Sequence, residues 1–208
     1  LTDSTTMGLG MVYNGLKLKQ GDEILTTEHD YFVTHESLRT ASLRTGAVVK
    51  QTKLYNNLSS VTSDEIINSI SRAVTDKTRV VALTWVNSNN GLKLPVKEFS
   101  VMVADKNSGR DDTERILLCI DGVHGFGVEN ITMNEMGCDF FMAGCHKWLF
   151  GPRGTGLVWG NPKAWARTLP IIPTFLDDEA RGERAPQQLS QALVVLRQHP
   201  QRARLLGG

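Results

Sequence analysis

Three short apolar runs, TRVVALTWV (78–86), ILLCID (116–121) and DFFMAG (139–144), constrain the fold more than any other feature of the chain. Each is hydrophobic at consecutive positions rather than alternate ones, and each is short for a buried helix. A strand reads this way when helices cover both faces of a parallel sheet. Segments with helical spacing separate these runs. FVTHESLRTASLRTG (32–46), closed by Gly46, follows a short strand EILTT (23–27), and AVVKQTKL (47–54) reads as the next strand. TSDEIINSISRAV (62–74) opens with a capping box from Thr62 to Glu65 and sets Ile66, Ile67 and Ile70 on one face. A helix is expected over 95–105 and a last strand over TGLVWG (155–160). At the start, DSTTMGLGMVYNGLKLKQGDE (3–23) predicts a helix capped by Ser4, Thr5 and Thr6, with Lys17 and Lys19 at its C-terminal end and Gly21 as its stop. Strands alternating with helices predict an α/β fold, a three-layer α/β/α arrangement around a mostly parallel central sheet.

The 208 residues suit one domain of ordinary size, and 40% apolar content is enough for a core. A formal charge of +1 gives no field that would recruit nucleic acid or an anionic membrane. No apolar run approaches the roughly 18 residues of a membrane span. Cys119, Cys138 and Cys145 lack CxxC spacing, which argues against a disulfide framework or a zinc site and predicts reduced thiols in a cytoplasmic protein. No signal peptide is visible, but the chain starts at Leu1, so a longer N-terminus is expected. Beyond Phe175 the sequence turns charged, Gln-rich and Arg-rich, with at most one helix around 186–198.

Ligands of parallel α/β sheets bind beyond the carboxyl ends of the strands. His29 follows the strand at 23–27, Ser88 follows that at 78–86, Asp121 and His124 follow RILLCI (115–120), and His146 and Lys147 follow the strand at 139–144. Each has an ordinary structural alternative: an aspartate caps turns, a histidine is satisfied in a core, and a lysine snorkels to water. Taken together they match one chemistry. Hydroxyls and free amides at a helix start bind phosphate. A lysine desolvated among apolar groups is an amine nucleophile toward carbonyls. A buried carboxylate can keep a pyridine nitrogen protonated, and an imidazole can stack on a flat ring. Phosphate, aldehyde, ring nitrogen and ring face describe pyridoxal 5'-phosphate, with Lys147 as its Schiff base. GLGMVY (8–13) fails as a dinucleotide fingerprint because Tyr13 replaces the third glycine, and GPRGTG (151–156) lacks the ending of a P-loop.

From Ser4 to Phe175 the chain resembles the large, cofactor-binding domain of class V aminotransferase-like enzymes, the fold-type-I pyridoxal-phosphate group that includes cysteine desulfurases, isopenicillin N epimerase-like proteins and C–S lyases. DGVHGFG (121–127) and GCDFFMAGCHKWLFGPRGTG (137–156) carry the likeness most specifically. The resemblance implies that Lys147 holds the cofactor, Asp121 pairs with the pyridine nitrogen and His29 stacks on the ring. It further implies that His124 contacts the ring hydroxyl, that Thr5, Thr6 and His146 face the phosphate, and that Ser88 lies near the ring oxygen. Gly144 and Cys145 stand where desulfurases carry Ser-Gly, which shifts phosphate binding toward Thr6 and His146 and brings the chain closer to the epimerase-like branch. It implies a large domain over 1–175, incomplete at its N-terminus, and a tail or truncated small domain over 176–208. It also implies an amino acid substrate and a homodimer, without nucleic acid or membrane partners. The reaction class is left among epimerase, C–S lyase, desulfurase and aminotransferase, the alternatives being a non-catalytic remnant that serves as an interaction module and, more weakly, a nucleotide-binding domain whose Lys147 grips phosphate.

Overall fold

The computed structural model describes residues 1–172, so the expected tail over 176–208 and its helix lie outside the described residues. Six strands form one sheet: β1 (Glu23–Thr27), β2 (Val48–Thr52), β3 (Thr78–Thr84), β4 (Leu117–Asp121), β5 (Phe140–Gly144) and β6 (Gly156–Gly160), in the order β2-β1-β3-β4-β5-β6. The first five are mutually parallel. β6 runs antiparallel to β5, because the loop between them contains no helix to carry the chain back across the sheet. The helices are α1 (Thr5–Gly15), α2 (Phe32–Thr45), α3 (Ser63–Ala73), α4 (Val96–Lys106) and the short α5 (Met133–Met136) and α6 (Pro162–Trp165). Among the described residues no helix is long and apolar enough to cross a membrane.

The period-two alternation of strand side chains divides the core into two layers. On one face Val81, Leu83, Leu118, Ile120 and Phe141 pack with Ile66 and Ile70 of α3 and Phe99 of α4. On the other, Val80, Ala82, Leu117, Cys119, Phe140 and Met142 pack with Leu9, Val12 and Tyr13 of α1 and Leu38 and Ala41 of α2. Strands buried on both sides account for the consecutive apolar runs. Full burial of each such Val, Leu, Ile or Phe side chain contributes about 1.5–3 kcal/mol.

Three local expectations are corrected. α1 stops at Gly15 rather than at Gly21, so Lys17 and Lys19 lie outside it. Leu16, buried, instead forms an antiparallel bridge with Thr168, a partner far away in sequence. The Thr62 cap accepts from the Glu65 amide, but the Glu65 carboxylate accepts from Asn56 N rather than closing the box. A complete capping box occurs elsewhere, between Thr132 and Glu135 of α5. Ile67 is only partly buried, whereas Ile66 and Ile70 are in the core.

Candidate active site

The C-terminal rim of the sheet gathers most of the polar residues expected there, and the turn after β4 explains their placement. Gly122 N donates to Met142 O, and Gly125 N and Phe126 N both donate to Gly122 O, coiling DGVHGFG tightly against the sheet. A Cβ on Gly122 would stand 2.0 Å from the Phe141 ring, and one on Gly125 would stand 2.1 Å from the Trp85 ring. Gly122 and Gly125 are therefore set by close packing onto aromatic rings, which fixes where Asp121 and His124 emerge.

Asp121, the last residue of β4, is buried, and its Oδ1 accepts from Val123 N at 3.1 Å. Burial pushes its carboxyl up to about 7; the Val123 bond pulls it down and the nearby charge of Asp30 adds to the rise. Asp30 had no role in the sequence reading. It is buried and bridges two strand ends: Oδ2 accepts from Thr26 Oγ1, Thr27 N and Thr27 Oγ1 at 2.7–2.9 Å, and Oδ1 accepts from Thr84 N at 2.7 Å. This clamp shapes the turn that presents His29. The His29 amide donates to Thr27 Oγ1, its carbonyl accepts from Asn87 Nδ2 at 2.6 Å, and its ring stacks on Tyr55 at 4.4 Å and 5°. Neither Asn87 nor Tyr55 was marked by the sequence. His29 Nε2 is buried and has no hydrogen-bond partner.

A second focus lies at the start of α1. Ser4 is spent on the helix cap, its Oγ accepting from Met7 N at 3.1 Å. Thr5 Oγ1 and His146 Nδ1 are both buried without partners. They flank Gly144: a Cβ there would lie 3.1 Å from Thr5 Oγ1 and 3.2 Å from His146 Nδ1. The first-turn amides of Thr5 and Thr6 have no intrahelical acceptor, so two hydrogen-bonding side chains, a helix N-terminus and a side-chain-free wall converge. Thr6 itself is exposed.

Lys147 differs from its expectation. It is exposed, as are Trp148, Leu149 and Phe150, so the desolvation expected of an amine after an apolar run is absent. The run ends with the sheet at Gly144. The chain then loops outward, held by Cys145 N to Thr155 O and Gly151 N to Cys145 O, with Phe150 in the left-handed region at φ 55. Lys147 nonetheless faces the same rim as Asp121. Burial, and after it the charge of Lys147, hold the His124 imidazole below its usual range. His124 Nδ1 accepts from Trp148 Nε1 at 3.2 Å. A groove beside them is lined by Val86, Asn87, Ser88, His124, Val128 and Trp148, with Ser88 exposed at its edge.

An anion cradle of hydroxyl, imidazole and helix amides, together with a buried carboxyl able to meet a cation, fits a phosphate-bearing cationic heterocycle, and Thr5 Oγ1 and His146 Nδ1 are orphaned atoms that such a group would satisfy. Comparison with known proteins points the same way. Residues 1–173 match the family model for aminotransferase class V. A probable cysteine desulfurase of Haemophilus influenzae is 25% identical over 173 residues, covering 82% of this chain and 37% of that protein. The isopenicillin N epimerase of Streptomyces clavuligerus is 26% identical over 160 residues, covering 76% of this chain and 37% of that protein. A solved structure of a C-DES mutant with glycine covalently linked to its PLP cofactor superposes with a TM-score of 0.75 at 22% identity, over 88% of this chain and 46% of that one. The chain thus spans less than half the length of these relatives. With its family model covering most of its length and its sheet matching theirs, the chain belongs to the aminotransferase class-V family, whose cofactor is pyridoxal 5'-phosphate.

Proposed function

We propose that residues 1–175 are the large domain of a pyridoxal-phosphate enzyme acting on an amino acid, by desulfurase, C–S lyase, epimerase or aminotransferase chemistry. The cofactor, when bound, supplies a carbonyl that condenses with amines and a ring that accepts electrons. Thr5 Oγ1, His146 Nδ1 and the amides of Thr5 and Thr6 take its phosphate at the positive end of α1, with Thr6 Oγ1 at the open side. Asp121 meets the ring nitrogen. Its carboxyl holds a proton near neutrality when alone, and a cation against it favours the ionised form. His29 offers the ring face that Tyr55 leaves uncovered. His124, neutral and accepting at Nδ1 from Trp148, carries its proton on Nε2 and so is a donor for the ring oxygen, near Ser88. Lys147 Nζ is the amine that would hold the cofactor's carbonyl end, and as a free amine it would serve as the base for the substrate's α-proton.

The observation that carries this reading is the unpartnered pair Thr5 Oγ1 and His146 Nδ1 across Gly144, on the same rim as buried Asp121. Titration with pyridoxal phosphate tests it: the chain is expected to gain a visible absorption band that Lys147→Ala abolishes. A band that persists in Lys147→Ala assigns the amine wrongly. A homodimer is part of the same proposal, supported by exposed Tyr31, Phe32, Trp148, Leu149 and Phe150 around this rim. Light scattering that returns a monomer at all concentrations would remove it. A cytoplasmic location is likewise proposed, supported by three free cysteines, and cell fractionation tests it.

A further inference from the structure

Tyr13 is fully buried in the last turn of α1, yet its hydroxyl has no hydrogen-bond partner. A buried orphan of this kind costs about 1–3 kcal/mol and calls for an explanation. Its position supplies one. The N-terminus of α1 lies at the C-terminal rim, where Thr5 adjoins Gly144. Helical side chains lean toward the helix N-terminus, so the Tyr13 ring leans toward that rim. It packs in the layer that holds Ala82 of β3 and Cys119 of β4. Strand alternation puts Thr84 and Asp121, each two residues further on, on the same face, and the two are direct partners in the β3–β4 register. Thr84 Oγ1 is a second buried hydroxyl without a partner, while the Thr84 amide is taken by Asp30.

We propose that Tyr13 is a positioning residue for Asp121, its hydroxyl reaching the carboxyl through one buried water that Thr84 Oγ1 also bonds. A buried water makes about three hydrogen bonds, and this set supplies three partners. The titratable groups facing this layer are Tyr13 from α1, Cys119 and Asp121 from β4, Asp30 from the loop after β1, and His35 of α2, whose Nε2 is bonded to Thr27 O. Burial first, then the charges of Cys119, Asp121 and Asp30, push the Tyr13 phenol well up, so it remains a neutral donor. The inference rests on the proposed role of Asp121 toward the ring nitrogen: a carboxylate anchored from behind keeps its free oxygen aimed at the cleft.

The test is a carbon-13 carboxyl NMR titration of the full 208-residue chain without cofactor, with the Asp121 signal assigned by Asp121→Asn. In Tyr13→Phe the Asp121 midpoint is expected to rise by about one pH unit, a tenfold change in its ionisation constant. An unmoved midpoint in a variant with native circular dichroism overturns the proposal. Should Tyr13→Phe fail to fold, Thr84→Val carries the same expectation and the same refutation. Pyridoxal phosphate affinity is then expected to fall about tenfold in Tyr13→Phe, and not to fall further when Tyr13→Phe is added to Asp121→Asn. An equal loss in both backgrounds makes Tyr13 merely structural. If no variant binds the cofactor, the proposed function fails, while the NMR titration still decides the role of Tyr13.

Discussion

The two rims of this sheet treat their polar groups differently. At the N-terminal rim the groups are closed on one another. Asn107 donates to Ile116 O at 3.0 Å and accepts from Ile116 N at 2.7 Å, Asp139 accepts from Leu118 N and Asn161 Nδ2, and Arg110 donates to the carbonyls of Thr75, Asp76, Thr78 and Glu114. At the C-terminal rim Thr5 Oγ1, His29 Nε2, Thr84 Oγ1 and His146 Nδ1 are buried and unpartnered. Trp165 Nε1, just after β6, is the exception on the N-terminal side. One rim holds the strands together. The other, beside the closed Asp30 clamp, keeps part of its hydrogen-bonding capacity unspent, which is how a ligand site differs from a structural network.

The contrast can be broken by substitution, beginning at the closed rim, where the largest effect is expected. Asn107→Ala strands the Ile116 amide and carbonyl and should cost about 2–4 kcal/mol in chemical denaturation, with no specific loss of cofactor affinity per folded molecule. An effect below 1 kcal/mol would mean that the network is dispensable. Next is the pH dependence of Asp121. Its carboxyl lies at about 7 in the fold against an ordinary 3.8, so between those values the folded chain holds a proton that the unfolded chain has lost. The contribution is therefore most favourable below 3.8 and is lost as pH rises toward 7, by at most about 1.4 kcal/mol per pH unit. Asp139, also raised by burial, adds slope of the same sign. Denaturation midpoints across this window should fall less steeply in Asp121→Asn, and an unchanged slope would contradict the assignment. The smallest stability effect belongs to the open rim. Thr5→Val removes a hydroxyl that bonds nothing in the fold, so stability should change by under about 1 kcal/mol while cofactor affinity drops tenfold or more. A large destabilisation with unchanged affinity would reverse the reading of that rim.

The layered fold was legible because strands covered on both faces leave consecutive apolar residues, and because Gly46 and Thr62 mark helix ends with local chemistry. Asp121, His29, His146 and Lys147 were legible as residues at or just beyond strand ends. What escaped depends on long-range contacts. The end of α1 is set by the Leu16–Thr168 bridge. Asp30 looks like a neighbour of His29 until folding brings Thr84 to it, and the Tyr55 stack and the Asn87 bond join segments far apart in sequence. The exposure of Lys147 was hidden for a related reason. WLF (148–150) extends the apolar character of the sequence, but the strand has already ended at Gly144.

Incubation with pyridoxal phosphate, borohydride reduction and peptide mapping test the central claim most directly, because they identify which amine the C-terminal rim presents to the carbonyl. The account predicts a cofactor-sized mass on the peptide containing Lys147, suppressed when Asp121→Asn and Thr5→Val are combined. Label spread over several surface lysines, with Lys147 unmodified, would contradict it.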